Sequence, residues 1–168
     1  MKKIFLIIIF LNFTKIFSQS TESLLNYPGS EKIIGTRFPI EQFKKETSKK
    51  TEEVWLNNKP TLINFWFTTC EPCIEEMPIL NQLHEDLKNK INFIGATFSS
   101  KDKVENFLTK HHFSFDQITD VDYKIFGKNK ITRFPTTFIL DKKGNIQYVI
   151  GKVDSEKSEM IKKILLEY

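Results

Sequence analysis

The stretch Thr61-Leu62-Ile63-Asn64-Phe65-Trp66-Phe67-Thr68-Thr69-Cys70-Glu71-Pro72-Cys73 joins an apolar run to a pair of cysteines, the only two in this chain of 168 residues. A short apolar run with one polar residue is typical of a central β-strand buried on both faces. From Glu71 to Leu87, apolar residues recur at steps of three and four, which predicts a helix with one buried stripe. The cysteines therefore lie where a strand gives way to a helix.

The position of this cysteine pair favours redox chemistry. The first sulfur, of Cys70, is placed at the predicted helix N-terminus, where unpaired N–H groups and the positive end of the helix dipole stabilise a thiolate. Cys73 follows one helical turn later, so the two side chains can form and break a disulfide. We therefore interpret the pair as a reactive dithiol.

Two structural interpretations of the cysteines compete with this one. A disulfide that only stabilises the fold does so mainly by closing a loop in the unfolded chain, and here the loop is very short. A zinc site would need two more Cys or His ligands at matched spacing. The histidines, His84, His111 and His112, do not supply such a pattern, and the sequence predicts no metal site.

The N-terminus resembles a secretory signal peptide. Met1–Lys3 is basic, Ile4–Phe13 is almost entirely apolar, and small residues at Ser18 and Ser20 offer cleavage sites after either one. An uncleaved membrane anchor is the alternative, although the apolar run is about half the roughly 20 residues that span a bilayer. We expect a signal peptide over residues 1–18, an N-terminal extension over 19–60 and the main domain over 61–168. An exported, extracytoplasmic protein follows from this assignment.

The charge of the chain gives no indication of nucleic-acid binding. Its formal net charge is +4. Removal of residues 1–18 takes away three lysines and no acid, which leaves 22 basic and 21 acidic residues. No basic stripe or base-stacking motif is present.

The remaining pattern alternates strands with helices and predicts an α/β sheet covered on both faces. After the first strand and helix it predicts strands at Ile91–Phe98, Phe113–Ile118, Thr136–Asp141 and Asn145–Ile150, with helices at Lys101–His112, Tyr123–Phe126 and Glu156–Leu166. The last two strands form a hairpin through Lys142-Lys143-Gly144. In the extension, Ile33–Gly35 and Phe38–Ile40 are expected to be short strands.

Several motifs in order resemble the thioredoxin fold. They are the strand Leu62–Trp66, Cys70-Glu71-Pro72-Cys73, Glu76 and Pro78 in the helix, and Phe134-Pro135-Thr136-Thr137-Phe138-Ile139-Leu140-Asp141 followed by Gly144. Within that fold, the set is most similar to the TlpA/ResA-like extracytoplasmic thiol-disulfide oxidoreductases. The resemblance covers roughly residues 60–168. It identifies Lys101–Ile118 as the additional helix and strand that this family carries.

The resemblance implies a substrate groove beside the cysteines. The peptide bond between Phe134 and Pro135 is expected to be cis and to present the backbone of Phe134 to an extended substrate. Thr69, Glu71 and Pro72 are expected to line the same groove. Thr69 departs from the family pattern, because most relatives have a tryptophan there, and it makes the lip of the groove smaller and more polar.

The resemblance also directs attention to Glu76. Asn64 stands where thioredoxin has a buried aspartate, and an amide cannot shuttle the proton of the second thiol. Glu76 lies three residues after Cys73, on the same side of the helix. A partly buried carboxyl there, with a raised pKa, could accept that proton. A surface glutamate stabilised by the helix dipole is the alternative.

The function implied is that of a protein disulfide oxidoreductase, most simply a reductase, in which Cys70 is the nucleophile and Cys73 resolves the mixed disulfide. No cofactor is required. The implied partners are protein thiols and disulfides, with apocytochrome c, and hence cytochrome c maturation, as a plausible target and a membrane thiol-electron transporter as the upstream reductant. We expect a monomer. Two alternatives stay open: a disulfide-forming oxidant of the same fold, and a non-enzymatic copper-delivery protein, although the cysteine spacing is narrow for the latter.

Overall fold

The structure, a computed structural model, describes residues 25–43 and 58–168. These residues form a five-stranded sheet in the order β3-β2-β1-β4-β5. The strands are β1 (Thr61–Trp66), β2 (Asn92–Thr97), β3 (Asp116–Ile118), β4 (Thr136–Leu140) and β5 (Ile146–Ile150). The first three are parallel, whereas β4 is antiparallel to β1 and β5 is antiparallel to β4. This mixed sheet agrees with the α/β class that the sequence predicts.

Four helices accompany the sheet in the described part of the chain: α1 (Glu71–Leu87), α2 (Lys101–Leu108), α3 (Tyr123–Lys128) and α4 (Ser155–Leu166). The predicted bounds of α1 match, and those of α4 differ by one residue. Helix α2 ends four residues before the predicted His112. The cause is a tight turn, in which the N–H groups of Lys110 and His111 both donate to the Phe107 carbonyl, each at 3.0 Å.

Strand β1 is buried along its whole length. Successive side chains of a strand point to opposite faces of the sheet. Leu62 and Trp66 accordingly join one apolar cluster, to which α1, α2 and α4 contribute. Ile63 and Phe65 join a second cluster, formed with α3 and the segment around Phe38. The strand that carries the cysteine pair at its end is therefore fixed from both sides.

The described part of the N-terminal extension runs along β5, which is an edge of the sheet. The Tyr27 N–H donates to the Val149 carbonyl at 2.6 Å, and the Gly35 N–H donates to the Ile146 carbonyl at 2.7 Å. Further along the chain, the Phe38 N–H donates to the Gly144 carbonyl at 2.9 Å. Covering an edge in this way satisfies backbone groups that would otherwise be open to pairing with another chain.

The prediction of two short strands within this extension is wrong. Ile33–Thr36 is a turn, closed by a hydrogen bond from the Thr36 N–H to the Ile33 carbonyl at 3.1 Å, and Gly35 has a φ of +81° that favours glycine. Ile40–Phe43 is a single 3-10 turn. Phe38 and Ile40 both point into the second cluster, but Ile40 already begins the 3-10 turn, in which the Gln42 N–H donates to the Pro39 carbonyl at 3.0 Å. The backbone therefore turns here and does not continue as a strand.

The predicted signal peptide, residues 1–18, lies outside the described residues. Within the described ranges, none of the helices is both long enough and apolar enough to cross a membrane.

The packing of the extension predicts the effect of Phe38→Ala. The Phe38 ring is 1% exposed and lies 5.0, 5.9 and 5.6 Å from the rings of Phe43, Phe65 and Phe138. Its removal should lower the free energy of unfolding by about 3–5 kcal/mol, as measured by urea denaturation of the oxidised protein. Leu166→Ala is the control, because Leu166 is 50% exposed. A loss below about 1 kcal/mol for Phe38→Ala would show that the extension is not part of the folded domain.

Candidate active site

The cysteine pair lies at the junction between β1 and α1, as the sequence indicates. Cys70 is the N-cap residue of α1, and its carbonyl accepts the N–H groups of Cys73 and Ile74, both at 3.0 Å. Pro72 occupies the first turn of the helix, where a missing N–H costs nothing. Cys70 and Cys73 form a disulfide with a Cα–Cα distance of 5.2 Å.

Both sulfurs are set below the surface. Cys70 is 3% exposed and Cys73 is 1% exposed, whereas Thr69, Glu71 and Pro72 around them are exposed. Both cysteines are thus almost fully covered in the disulfide form, and the exposed residues beside them form the surface around the pair.

The Phe134–Pro135 loop reaches the segment that carries the cysteines. The peptide bond between these residues is cis. The ring of Phe134 lies 5.4 Å from the ring of Phe67, edge to face, and the Phe67 carbonyl accepts the Cys70 N–H at 3.0 Å. The structure thus brings together the two parts of the chain, about 65 residues apart, that the family resemblance placed in one groove.

A group of half-buried aromatic rings flanks the cysteine segment. Phe67, Phe98 and Phe134 lie within 5.2 to 5.7 Å of one another. The exposed Tyr123 packs edge-on against Phe98 at 5.2 Å. The family resemblance singled out Phe134, but the sequence assigned no role to Phe67, Phe98 or Tyr123, because an isolated aromatic residue at the end of a strand looks the same whether it faces the core or a groove.

Glu76 is fully buried within the first apolar cluster. Its side chain is 0% exposed. The Asn64 Nδ2 donates to Glu76 Oε1 at 2.8 Å, and the Val153 N–H donates to Glu76 Oε2 at 2.6 Å. The carboxyl group is therefore held between β1 and the loop that follows β5. The surface-glutamate alternative is wrong for this side chain.

Burial sets the protonation of Glu76. Removal from water raises its pKa to about 7, against opposing effects of the Val153 and Asn64 hydrogen bonds and of the cations Lys152 and Lys157. Lys152 itself is paired with Glu75 at the surface. A carboxyl group that titrates near neutral pH can accept or release a proton during a catalytic cycle.

Asn64 also donates to the Thr137 Oγ1 at 3.0 Å, so one amide connects Glu76 to β4. Asn64 and Thr137 are opposite each other in the register of β1 and β4, and both are buried. Thr137 and Val153 are the site residues that sequence reasoning missed. The polar Thr136-Thr137 pair at the start of an apolar strand was the available signal, but it does not show which hydroxyl points toward α1.

In the described part of the chain, no group of three or more His, Cys, Asp or Glu side chains is arranged to hold a metal ion. His84 is instead packed among aromatic rings, 5.2 Å from Phe93.

Comparison with known proteins agrees with this geometry. The redoxin family model matches residues 34–165. The thiol-disulfide oxidoreductase ResA of Bacillus thuringiensis is 35% identical over 120 residues, which cover 69% of each protein. Among solved structures, a thioredoxin-like protein in its oxidised form superposes with a TM-score of 0.64 at 22% identity, covering 78% of this chain and 97% of the other. StoA of Bacillus subtilis superposes with a TM-score of 0.54 at 22% identity, covering 62% and 83%.

The two structural likenesses confirm the predicted thioredoxin-like fold, and the sequence relatives confirm the predicted enzyme class. The cysteine pair at the strand–helix junction, the match over most of the chain and the identity to ResA lead to one conclusion. This chain belongs to the redoxin family and is a thiol-disulfide oxidoreductase of the ResA type.

Proposed function

We propose that this protein is an extracytoplasmic reductase of protein disulfides that acts through Cys70 and Cys73. The observation that carries the proposal is the placement of the pair. Cys70 caps α1, whereas Cys73 is enclosed on the side of the helix where the buried carboxyl of Glu76 lies. One sulfur is thus positioned to meet a substrate and the other to resolve the product.

The reaction proceeds in two exchanges from the dithiol form. The Cys70 thiolate attacks one sulfur of the substrate disulfide, forms a mixed disulfide and releases the other substrate sulfur as a thiolate, which takes up a proton. Cys73 then loses its proton, attacks the Cys70 sulfur and releases the second substrate thiol. Two electrons pass to the substrate, and the Cys70–Cys73 disulfide remains.

Glu76 is the proposed acceptor of the Cys73 proton. Both groups that contact its carboxylate, Asn64 and the Val153 N–H, donate hydrogen bonds, which suits the ionised form. When the carboxyl takes up a proton, one of these contacts has to reverse. An asparagine amide can do this by rotating its oxygen toward the new O–H, and the Thr137 hydroxyl can then change from acceptor to donor. An aspartate in place of Asn64 would offer no donor to the ionised carboxylate.

The charges near the sulfurs favour a reductant. A disulfide is strongly oxidising when the dithiol form is stabilised by a thiolate. Here the exposed Glu71 lies between the cysteines, and the buried Glu76 follows them within one helical turn. Negative charges at these positions oppose the thiolate and so stabilise the disulfide relative to the dithiol.

The proposed location rests on the first 18 residues, whose pattern is that of a signal peptide. The N-terminal sequence of the exported chain, which should begin at Gln19 or Thr21, tests this location.

Outside the cytoplasm, a reductant needs a source of electrons, so we include a membrane thiol-electron transporter upstream. Apocytochrome c is the proposed substrate, consistent with a role in cytochrome c maturation.

Substitution of each cysteine tests the order of attack. Cys70→Ser should abolish the reduction of insulin disulfides, because the attacking thiolate is lost. Cys73→Ser should still attack, and it should accumulate a mixed disulfide with insulin that is visible on a non-reducing gel. Retained insulin reduction by Cys70→Ser would exclude this mechanism.

The reduction potential of the pair tests the direction of electron flow. Titration against glutathione should place it at or below that of thioredoxin, about −270 mV. A value near that of the oxidant DsbA, about −120 mV, would instead support disulfide formation as the function. This second outcome has a physical basis, because the N-terminus of α1 stabilises a Cys70 thiolate.

A matched pair of variants separates the contribution of local charge to this potential. Glu71→Gln should raise the potential by about 10–20 mV, since it removes a negative charge that lies between the two cysteines in the chain and forms no ion pair with the described residues. Glu75→Gln removes a charge that is already paired with Lys152 and should change the potential less. An equal shift in both variants would contradict the proposed role of Glu71.

Glu76→Gln tests the proton acceptor. The resolution of the mixed disulfide should show a pH dependence centred near 7, the value to which burial raises the pKa of Glu76, and the variant should lose it. Single-turnover decay of the mixed disulfide between pH 5 and 9 measures this. A profile that Glu76→Gln leaves unchanged would exclude Glu76 as the acceptor.

The stability of the same variant gives an independent check. Because the folded-state pKa of Glu76 is higher than in the unfolded chain, folding takes up a proton between about pH 4.5 and 7. As the pH rises from about 4.5 to 7, the free energy of unfolding of the wild type should therefore fall by about 3 kcal/mol relative to that of Glu76→Gln. Above pH 7 the difference between the two proteins should level off. Glu75→Gln, with an exposed side chain, should show a change below about 1 kcal/mol.

A further inference from the structure

A pocket of about 280 Å³ lies between the N-terminal extension and the loop that leads to Phe134. One wall is the N-terminal segment 27–33, and the other is formed by loop residues 130–136. Val149 of the edge strand also contributes to the lining. The proposed reaction makes no use of this pocket.

The charged groups of this pocket have one sign. Lys32, Lys130 and Arg133 line it, and none of the lining residues in the described part of the chain is acidic. The nearest carboxylate along the chain, that of Glu31, accepts a hydrogen bond from the Gly29 N–H at 3.2 Å. Since Gly29 and Lys32 line the pocket, the Glu31 carboxylate lies at its rim, where it interacts with Lys32. Lys130 and Arg133 still leave the concave surface with an excess of positive charge, which is suited to an anion.

Arg133 is held in a defined position within the pocket. Its guanidinium lies 5.2 Å from the centre of the Tyr27 ring and donates a hydrogen bond to the Tyr27 hydroxyl. The Tyr27 backbone is tied in turn to Val149, and the Thr136 hydroxyl donates to the Arg133 carbonyl at 2.8 Å. A guanidinium that uses one nitrogen on the tyrosine hydroxyl keeps other N–H donors available, and its planar geometry matches a carboxylate.

The pocket is adjacent to the proposed path of the substrate. Arg133 immediately precedes Phe134, whose backbone is expected to meet an extended substrate. Neighbouring Cα atoms are about 3.8 Å apart, and an extended chain advances about 3.3 Å per residue. A substrate segment that meets the backbone of Phe134 therefore passes next to Arg133, one of the three cations that line the pocket.

We propose that this pocket binds an acidic side chain of the protein substrate, an aspartate or glutamate near the cysteine that Cys70 attacks. The inference rests on the proposed function, since it assigns a substrate preference to the same site. The N-terminal extension then has a role in recognition, because it supplies Tyr27 and Lys32. The pocket selects among disulfides by the charge beside them, and the cysteines carry out the exchange.

The test uses one disulfide peptide with glutamate, glutamine or lysine placed in turn at each of four positions on either side of the first cysteine. At low ionic strength, glutamate at one or two positions should react about five- to tenfold faster than lysine, and this ratio should fall below about twofold in 0.5 M salt. Arg133→Gln should reduce the ratio to nearly one. Lys130→Gln should also reduce this ratio, and it leaves the contact between Arg133 and Tyr27 in place.

Lys163→Gln is the matched control. It removes the same charge from an exposed position on α4, a helix that packs against the opposite face of the sheet, and it should leave both the ratio and the activity unchanged. Equal rates for all three peptides at every position would overturn the proposal, as would a ratio that Arg133→Gln and Lys130→Gln leave intact.

The experiment separates this proposal from that of the reductase. Each peptide is assayed both as a disulfide with the reduced protein and as a dithiol with the oxidised protein, since the same docked complex serves both directions. If the peptides are oxidised but never reduced, the reductase direction fails, and the glutamate-to-lysine ratio for oxidation still decides on the pocket.

Discussion

The burial of β1 on both faces is the constraint on which the rest of this structure depends. A strand that is covered on both sides cannot shift its register without moving apolar side chains into the wrong cluster. Its end is consequently fixed, and so is the residue that begins α1. Because Cys70 immediately precedes Glu71 as the N-cap of α1, the position of its sulfur is fixed by the buried strand. The helix N-terminus then supplies the electrostatic conditions for a thiolate.

A small group of buried polar side chains, Asn64, Glu76 and Thr137, connects β1, α1 and β4. A buried carboxyl costs free energy unless it is hydrogen-bonded or neutral. Glu76 satisfies this condition through Asn64 and the Val153 N–H, which join β1, α1 and the loop after β5. The raised pKa is the consequence of this arrangement, because two hydrogen bonds only partly replace the lost water.

The N-terminal extension connects the edge of the sheet to the active-site loop. It covers β5 through backbone hydrogen bonds and places Tyr27 against Arg133, one residue before Phe134. In the proposed recognition of an acidic substrate, the same segment that covers the sheet edge also contributes to binding. The aromatic rings of Phe67, Phe98 and Phe134 pack together next to the segment that carries the cysteines.

The sequence by itself determined the α/β class, the strand and helix around the cysteines, and the identity of the reactive pair, because these depend on local periodicity and on spacing along the chain. It failed at Ile33–Ile40, where glycine and packing decide the backbone, and at the end of α2. Only the tertiary structure showed that Glu76 is buried, that Asn64 bridges it to Thr137, and that Lys32, Lys130 and Arg133 converge on one pocket. These features join residues distant in the chain, and their burial and charge depend on what the fold places around them.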